Sequence, residues 1–193
     1  MDFRFLYLRI RYIILNPDTA WEYIKQENRP LKDVRNSFLF PVLILVTICA
    51  FLGSLIFINS TLSPVYSVLI ATKVLLLNLV VIYLSAILLS EITKALDLGK
   101  DFKVSFKLIV YSLTPFLICQ MISHLFDSLI FINILSIYGL FIFSTGSGRM
   151  LNPPEHKRIP MLVAITVVVI GFYIAFGMLI SSVIDRIYFS IIA

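Results

Sequence analysis

Five polar residues have the types and the spacing to carry chemistry within long apolar segments of the chain. Gln120, His124 and Asp127 are spaced i, i+4 and i+7, so they share one stripe of a helix. Lys73 and Asn133 fall at a similar depth in two other apolar segments. Polar and ionisable groups in a membrane usually face the interior of a helix bundle or a cavity. The sequence therefore predicts a polar cluster that could relay protons or bind an anionic group.

The same residues have a second interpretation, in which none of them acts on a ligand. Lys73 would extend its four-carbon stem along the helix and place its ammonium group in water. His124 and Asp127 would lie in water at the membrane surface. The sequence is compatible with both interpretations.

A proline lies at the centre of the segment that carries the polar stripe, KLIVYSLTPFLICQMISHLFD. Pro115 has no amide hydrogen, and its ring displaces the carbonyl of Tyr111, four residues earlier. Ser112 and Thr114 are the hydroxyl groups that could compensate for the lost hydrogen bond. Tyr111 and Pro115 therefore predict a kink, which is either a hinge with a midplane binding site or a fixed bend that improves helix packing.

Signatures of catalysis and of metal binding are missing from the sequence. It contains no HExxH, GxSxG or P-loop motif and no pair of acidic residues within one apolar segment. Cys49 and Cys119 lie in separate apolar segments, without a His or Cys neighbour at the spacing of metal ligands. We therefore expect no catalytic residue, no cofactor and no metal site, and an enzyme is the least favoured class.

The composition identifies the elements that must position these residues. Of the 193 residues, 60% are hydrophobic and only 14% are charged, with a mean hydropathy of +0.99. This is too apolar for a soluble domain and indicates an integral membrane protein. Strand alternation is missing, and the apolar segments have the length of membrane-spanning helices. The predicted fold is an all-α bundle of five spans at 37–186, followed by a short outer tail at 187–193. The predicted spans are 38–59, 66–90, 107–126, 129–145 and 160–184.

Residues 1–36 predict an amphipathic segment that precedes the bundle. The first helix is expected to lie in the membrane interface, because Arg4 and Arg11 fall on one of its faces and apolar residues on the other. Six apolar residues occupy its other face: Phe3, Leu6, Tyr7, Ile10, Ile13 and Ile14. This segment is either a partner-binding helix pair or a membrane-anchored lead-in to the first span.

The second short helix of this segment is AWEYIKQE. Thr19 and Glu22 have the spacing of a capping box at its start. Trp21 and Tyr23 suit the level of the lipid headgroups.

The distribution of charge predicts the orientation of the chain. Fourteen of the sixteen Lys and Arg residues lie in the N-terminal segment or in the second and fourth loops, which fall on one side of a five-span bundle. The positive-inside rule then places the N-terminus in the cytoplasm and the C-terminus outside. Although the net charge is +5, the basic residues flank the spans instead of forming one patch, so we expect no nucleic acid partner.

Several stretches resemble the Ypt/Rab-interacting (YIP) membrane proteins in their short prokaryotic form: RIRYIILNPDTAWEYI, SFLFP, YSLTP, IYGLFIFSTG and MLNPPEHKR. Eukaryotic members carry Asp-Leu-Tyr-Gly-Pro at the entry to the first span, whereas this chain reads NSFLFP and shares only Pro41. The resemblance implies a five-helix bundle in a prokaryotic cytoplasmic membrane, with a cytoplasmic N-terminus and no enzymatic activity. The eukaryotic members bind small GTPases and act in vesicle traffic.

Two hypotheses of function follow. The first is a non-enzymatic protein that associates with membrane lipids or with protein partners on the cytoplasmic side, as a trafficking-like adaptor or an organiser of the membrane. The alternative is a transporter of a small solute, an ion or protons that uses Lys73, Gln120, His124 and Asp127. Five spans are few for one pathway, so the alternative implies a homo-oligomer.

Overall fold

The structure, a computed structural model, describes residues 3–57 and 63–192, and this part of the chain forms helices and no strand. The α-helices are α1 Phe3–Leu15, α2 Pro17–Glu27, α3 Leu31–Val34, α4 Phe40–Phe57, α5 Ser63–Ala95, α6 Phe102–Ser112, α7 Thr114–Leu125, α8 Tyr138–Met150 and α9 Glu155–Ile192. A π-helical segment, Arg35–Leu39, joins α3 to α4, and a 3-10 segment, Asp127–Ile137, precedes α8.

Five helical stretches of the described residues are long and apolar enough to cross a membrane: Leu31–Phe57, Pro64–Ala95, Phe102–Leu125, Ser128–Met150 and Glu155–Ser190. The predicted all-α membrane architecture is therefore confirmed. Residues 58 and 59, at the end of the first predicted span, lie outside the described residues.

The helices extend further than the predicted spans. The first spanning stretch begins at Leu31, seven residues before the predicted start of the first span at residue 38. α9 includes Pro160 and continues through the predicted tail to Ile192. A span is limited by the thickness of the hydrocarbon, whereas helical hydrogen bonds also form in water beyond it. Hydropathy therefore indicates apolar stretches, whose limits need not coincide with the helix ends.

Packing gives α5 three helical neighbours and leaves α9 at the edge of the bundle. α5 packs against α4, α6 and α9, and α4 also packs against α7. In the apolar window of α9 only 6% of the residues are buried, against 50% in the stretch formed by α6 and α7. The core therefore lies among α4, α5, α6 and α7, with contributions from α1, α2 and α8, and α9 presents most of its surface outward.

Gly53 allows α4 and α7 to approach each other closely. A Cβ atom added at Gly53 would lie 1.7 Å from the carbonyl oxygen of His124. At Gly171 on α9, by contrast, an added Cβ would meet nothing within 4 Å. Small residues at helix interfaces permit such backbone contact in membranes. Gly53 therefore has a packing role that Gly171 lacks.

α1 and α2 lie at the end of the bundle that carries loops 96–101 and 151–154, which we call the basic end. Lys25 Nζ on α2 donates a hydrogen bond to the carbonyl of Arg149 at 2.9 Å. Lys103 Nζ donates to Asn28 Oδ1 at 2.7 Å. These contacts tie the N-terminal helices to α6 and α8.

Candidate functional site

Trp21 anchors α2 in the bundle. Its side chain is 0% exposed, and its indole N–H donates a hydrogen bond to the carbonyl of Ile142 at 3.0 Å. Its ring meets that of Tyr111 edge to face, with centroids 5.9 Å apart. Gly146 makes room for the indole, since an added Cβ would lie 2.4 Å from it. The structure thus encloses the Trp21 ring within the bundle, while its expected position at headgroup level stays a prediction.

Ion pairs align α2 with the last turn of α8. Arg149 contacts Glu22 at 2.9 Å and Asp18 at 3.4 Å. All three side chains are partly exposed, so each pair adds little free energy. Arg149 also lies at a helix C-terminus, where a cation is favoured. The pairs mainly fix the register of α2 against α8.

The start of α2 differs from the predicted capping box. α2 begins at Pro17, with Asn16 in the N-cap position and no side-chain cap. Thr19 Oγ1 donates to the carbonyl of Asn16 at 3.1 Å and therefore does not cap a helix start of its own. Because proline is favoured in the first turn of a helix, Pro17 starts the helix before Thr19 is reached.

α1 is fixed to the bundle by one face and exposed on the other. Leu6 and Ile13 are buried against the core. Arg9 forms an ion pair with Glu27, which also pairs with Arg29 at 2.6 Å. Four large apolar side chains remain at least half exposed on α1: Phe3, Tyr7, Leu8 and Leu15. The predicted amphipathic helix is therefore a docked element with an apolar outer surface.

A groove of about 570 Å³ lies between α1 and α2. We call it the α1–α2 groove; its lining includes Phe5, Leu8, Arg9, Arg11, Tyr12, Leu15, Asn16 and Tyr23. Tyr12 and Tyr23 meet edge to face with centroids 5.8 Å apart. Arg11 is exposed and forms no ion pair with any described residue. The groove thus combines aromatic walls with an available positive charge.

The predicted polar cluster is arranged differently from the expectation. Gln120 Oε1 accepts a hydrogen bond from Asn78 Nδ2 at 3.0 Å, and Tyr173 Oη donates to Asn78 Oδ1. Asn78 is 1% exposed and also donates to the carbonyl of Val74 at 2.9 Å. Gln120 therefore belongs to a buried network that joins α7, α5 and α9. The sequence alone did not indicate that Tyr173 belongs to a polar network. The available signal for such a network was Asn78, a polar residue within an apolar segment.

Among the described side chains, this network includes none from Lys73, His124 or Asn133. His124 is half-buried and lines a cavity of about 340 Å³ with residues of α4 and α5, within electrostatic range of Lys73. Lys73 forms no hydrogen bond or ion pair with any described residue. Asn133 Nδ2 donates to the carbonyl of Ile130 in its own segment at 3.0 Å. The side chain of Asp127 lies outside the described part of the structure.

The helix breaks two residues before Pro115. α6 ends at Ser112, Leu113 turns the chain with φ −79° and ψ −2°, and α7 begins at Thr114. Thr114 Oγ1 bonds to the carbonyl of Val110 at 3.4 Å, whereas Ser112 Oγ has no partner among the described residues.

Packing holds this break in place. The Tyr111 ring lies edge to face with both Trp21 and Phe38. An added Cβ at Gly139 of α8 would lie 2.6 Å from the carbonyl oxygen of Ser112, so the backbones also meet closely. These contacts connect the break directly to α2.

No group of three or more His, Cys, Asp or Glu side chains in the described ranges could hold a metal ion. The two cysteines, Cys49 and Cys119, are free.

Five spanning helices with a docked N-terminal helix pair define a small polytopic membrane protein. The family model described as the Yip1 domain matches residues 11–179, and the chain belongs to this family. The resemblance inferred from the sequence is therefore confirmed. Comparisons with curated proteins and with solved structures found no match.

Proposed function

We propose that the protein is a non-enzymatic membrane adaptor that acts by association at its basic end. The observation that carries this proposal is the α1–α2 groove, which is lined by aromatic residues and held in place because α2 is anchored by the buried Trp21. A rigid surface binds a partner with a smaller entropy cost than a flexible segment does.

The orientation of the chain supports this location. Fourteen of sixteen Lys and Arg residues belong to segments at the basic end, so the positive-inside rule places this end in the cytoplasm and the C-terminus outside. In a prokaryote this corresponds to the cytoplasmic membrane. The anionic lipids of that leaflet add a second favourable contact for the same end.

The chemistry of the groove favours an acidic, amphipathic segment of a partner protein. Arg11 has no ion pair with a described residue and can receive a carboxylate. Tyr12 and Tyr23 provide aromatic surface, which is enriched in binding hot spots. The exposed apolar residues of α1, such as Tyr7 and Leu8, extend this surface to the membrane interface.

Site-specific photo-cross-linking in native membranes tests the proposal. A photoreactive residue at Tyr12 should give discrete cross-linked products, and Arg11→Glu should remove them by repelling an acidic segment. Lys94→Glu is the matched control, because Lys94 is an exposed lysine at the same end that does not line the groove. Products that survive Arg11→Glu, or that disappear equally in the control, would contradict the proposal.

The transport alternative has one supporting observation, the cavity that His124 lines within range of Lys73. It requires a homo-oligomer and predicts pH-dependent flux in proteoliposomes that Lys73→Met abolishes. The adaptor proposal predicts no such flux. Solute flux that depends on Lys73 would therefore contradict the adaptor proposal and support the transporter.

A further inference from the structure

A second groove at the basic end has a basic rim and aromatic walls, and it extends toward the apolar interior of the bundle. It has a volume of about 320 Å³ and lies where the start of the first spanning stretch meets α5 and α6. We call it the Lys32 groove; it is lined by Leu31, Lys32, Arg35, Tyr83, Phe102 and Phe106.

The walls of the Lys32 groove are aromatic. The ring centroids of Tyr83 and Phe106 are 5.2 Å apart, and those of Phe102 and Phe106 are 5.8 Å apart. Phe106 is buried, while Tyr83 and Phe102 are half-buried and reach the groove. The Tyr83 hydroxyl has no hydrogen-bond partner among the described residues. An aromatic wall with a free hydroxyl suits an apolar chain that carries an oxygen acceptor.

The rim of the groove is positively charged. Lys32 is exposed and forms no ion pair or hydrogen bond with a described residue. Arg35 Nε donates to Asn36 Oδ1 at 3.2 Å, which leaves the other guanidinium N–H groups for a ligand. Asp33, the acidic residue of α3, does not line the groove. The rim therefore favours an anion.

The groove also runs from the rim toward the apolar interior. Tyr83 precedes Glu91 by eight residues on α5, which corresponds to about 12 Å along the helix axis. Lys32 and Arg35 lie at the start of the first spanning stretch. A ligand that fills the groove must therefore be polar at one end and apolar at the other.

We propose that the Lys32 groove binds a phospholipid with an anionic headgroup. Lys32 and Arg35 pair with the headgroup phosphate, the Tyr83 hydroxyl donates to an ester oxygen, and one acyl chain packs against Phe102. Basic pockets between spanning helices are suited to anionic headgroups. This inference rests on the proposed function, because both place the basic end at the membrane surface.

Native mass spectrometry of the full chain tests this site with two lipids of equal acyl chains, phosphatidylglycerol and phosphatidylcholine. The variant K32Q/R35Q should bind phosphatidylglycerol about 30-fold more weakly, because two basic contacts are lost. Its binding of phosphatidylcholine should fall much less, because the choline cation of that lipid already offsets the attraction of its phosphate for Lys32 and Arg35 in the parent chain. K94Q/K100Q removes the same charge from the same end outside the groove, and its phosphatidylglycerol affinity should change by less than about 3-fold.

Three results would overturn the lipid site. These are unchanged binding in K32Q/R35Q, an equal loss in K94Q/K100Q, and equal binding of the two lipids by the parent chain. Displacement of the lipid by glycerol 3-phosphate would also overturn it, since a free phosphate would then suffice. Cross-linking at Tyr12 should persist in K32Q/R35Q, so failure of the lipid site and failure of the adaptor proposal are distinguishable.

Discussion

Asn78 is the residue that connects three helices of the bundle. Its side-chain Nδ2 donates one hydrogen bond to Gln120 on α7 and another to the carbonyl of Val74 in its own helix. Its Oδ1 accepts a hydrogen bond from Tyr173 on α9. Every polar atom of the Asn78 side chain thus has a partner in this network. A satisfied buried network favours one packed arrangement of its helices.

Asn78→Ala should lower the free energy of unfolding by about 1–3 kcal/mol, because it leaves Gln120 and Tyr173 without their partner. A double-mutant cycle with Gln120→Ala should give a coupling energy of about 0.6–1.7 kcal/mol. Unfolding in mixed micelles provides both values. Asn133→Ala is the control, since Asn133 bonds only within its own segment, and it should change stability by less than about 0.5 kcal/mol. Additive effects of the two core substitutions would contradict the network.

Gly53 makes a second prediction at the scale of one residue. The Cβ of Gly53→Ala would meet the backbone carbonyl of His124, which no rotamer change can move away. Helices α4 and α7 must then separate, at a cost of about 1–3 kcal/mol or more. Thermal unfolding in detergent measures this loss.

Gly171→Ala is the matched substitution, in open space on another spanning helix. It should be neutral or stabilise by up to about 1 kcal/mol, because alanine favours helix more than glycine does. Equal stabilities of the two alanine variants would show that α4 and α7 do not meet at Gly53.

At the scale of elements, α2 is a docked helix, and the fluorescence of Trp21 can report its position. The chain contains one tryptophan, and it is the buried Trp21. Gly146→Ala places a methyl group against the indole, so we expect α2 to shift outward. The tryptophan emission should move to longer wavelength, and a soluble quencher should reach it more readily.

Gly148→Ala, two residues further along α8, controls for general effects on that helix. Its Cβ would meet the guanidinium of Arg158, which can rotate away. The emission of Trp21 should therefore remain unchanged. A red shift in both variants, or in neither, would contradict the specific docking of α2.

The sequence predicted the spanning helices but not the docking of α2. Long apolar runs and flanking charges are local signals, so five spans could be predicted from the sequence. The contact between Trp21 and Gly146 joins residues 125 positions apart, and no pattern within either segment indicates it. The headgroup level expected for Trp21 followed a general preference of tryptophan, and that preference does not indicate that the ring is enclosed by other helices.

The same limit explains why the hydrogen-bond partner of Gln120 is Asn78, which lies outside the predicted cluster. Depth along the helix axis suggested Lys73, five residues before Asn78. Five residues rotate a side chain by about 140° around a helix, so Lys73 and Asn78 face different neighbours. Residue counting estimates depth but not rotation, which is set by how the helices pack.

For the whole molecule, the unequal charge of its two ends yields a prediction of topology. In a chain whose Cys49 and Cys119 are replaced by alanine, an impermeant thiol reagent should label Ser190→Cys in intact cells. Asp97→Cys, in a loop at the basic end, should be labelled only after the membrane is permeabilised, because the positive-inside rule places it in the cytoplasm. Labelling of both in detergent provides the control, and the reverse pattern would contradict the orientation.

α9 has a further consequence at this scale. Its uncharged stretch between Arg158 and Asp185 holds 26 residues, about 39 Å at 1.5 Å per residue, whereas a typical hydrocarbon core is about 30 Å thick. Large apolar side chains are exposed near both ends of this stretch, including Ile159 and Val183. A helix of excess apolar length tilts or thickens the surrounding bilayer, and either response costs less in a thicker membrane. Because α9 packs along α5, a tilt of the outer helix affects the core as well. The protein should therefore partition into the thicker regions of its membrane, independently of any partner at its basic end.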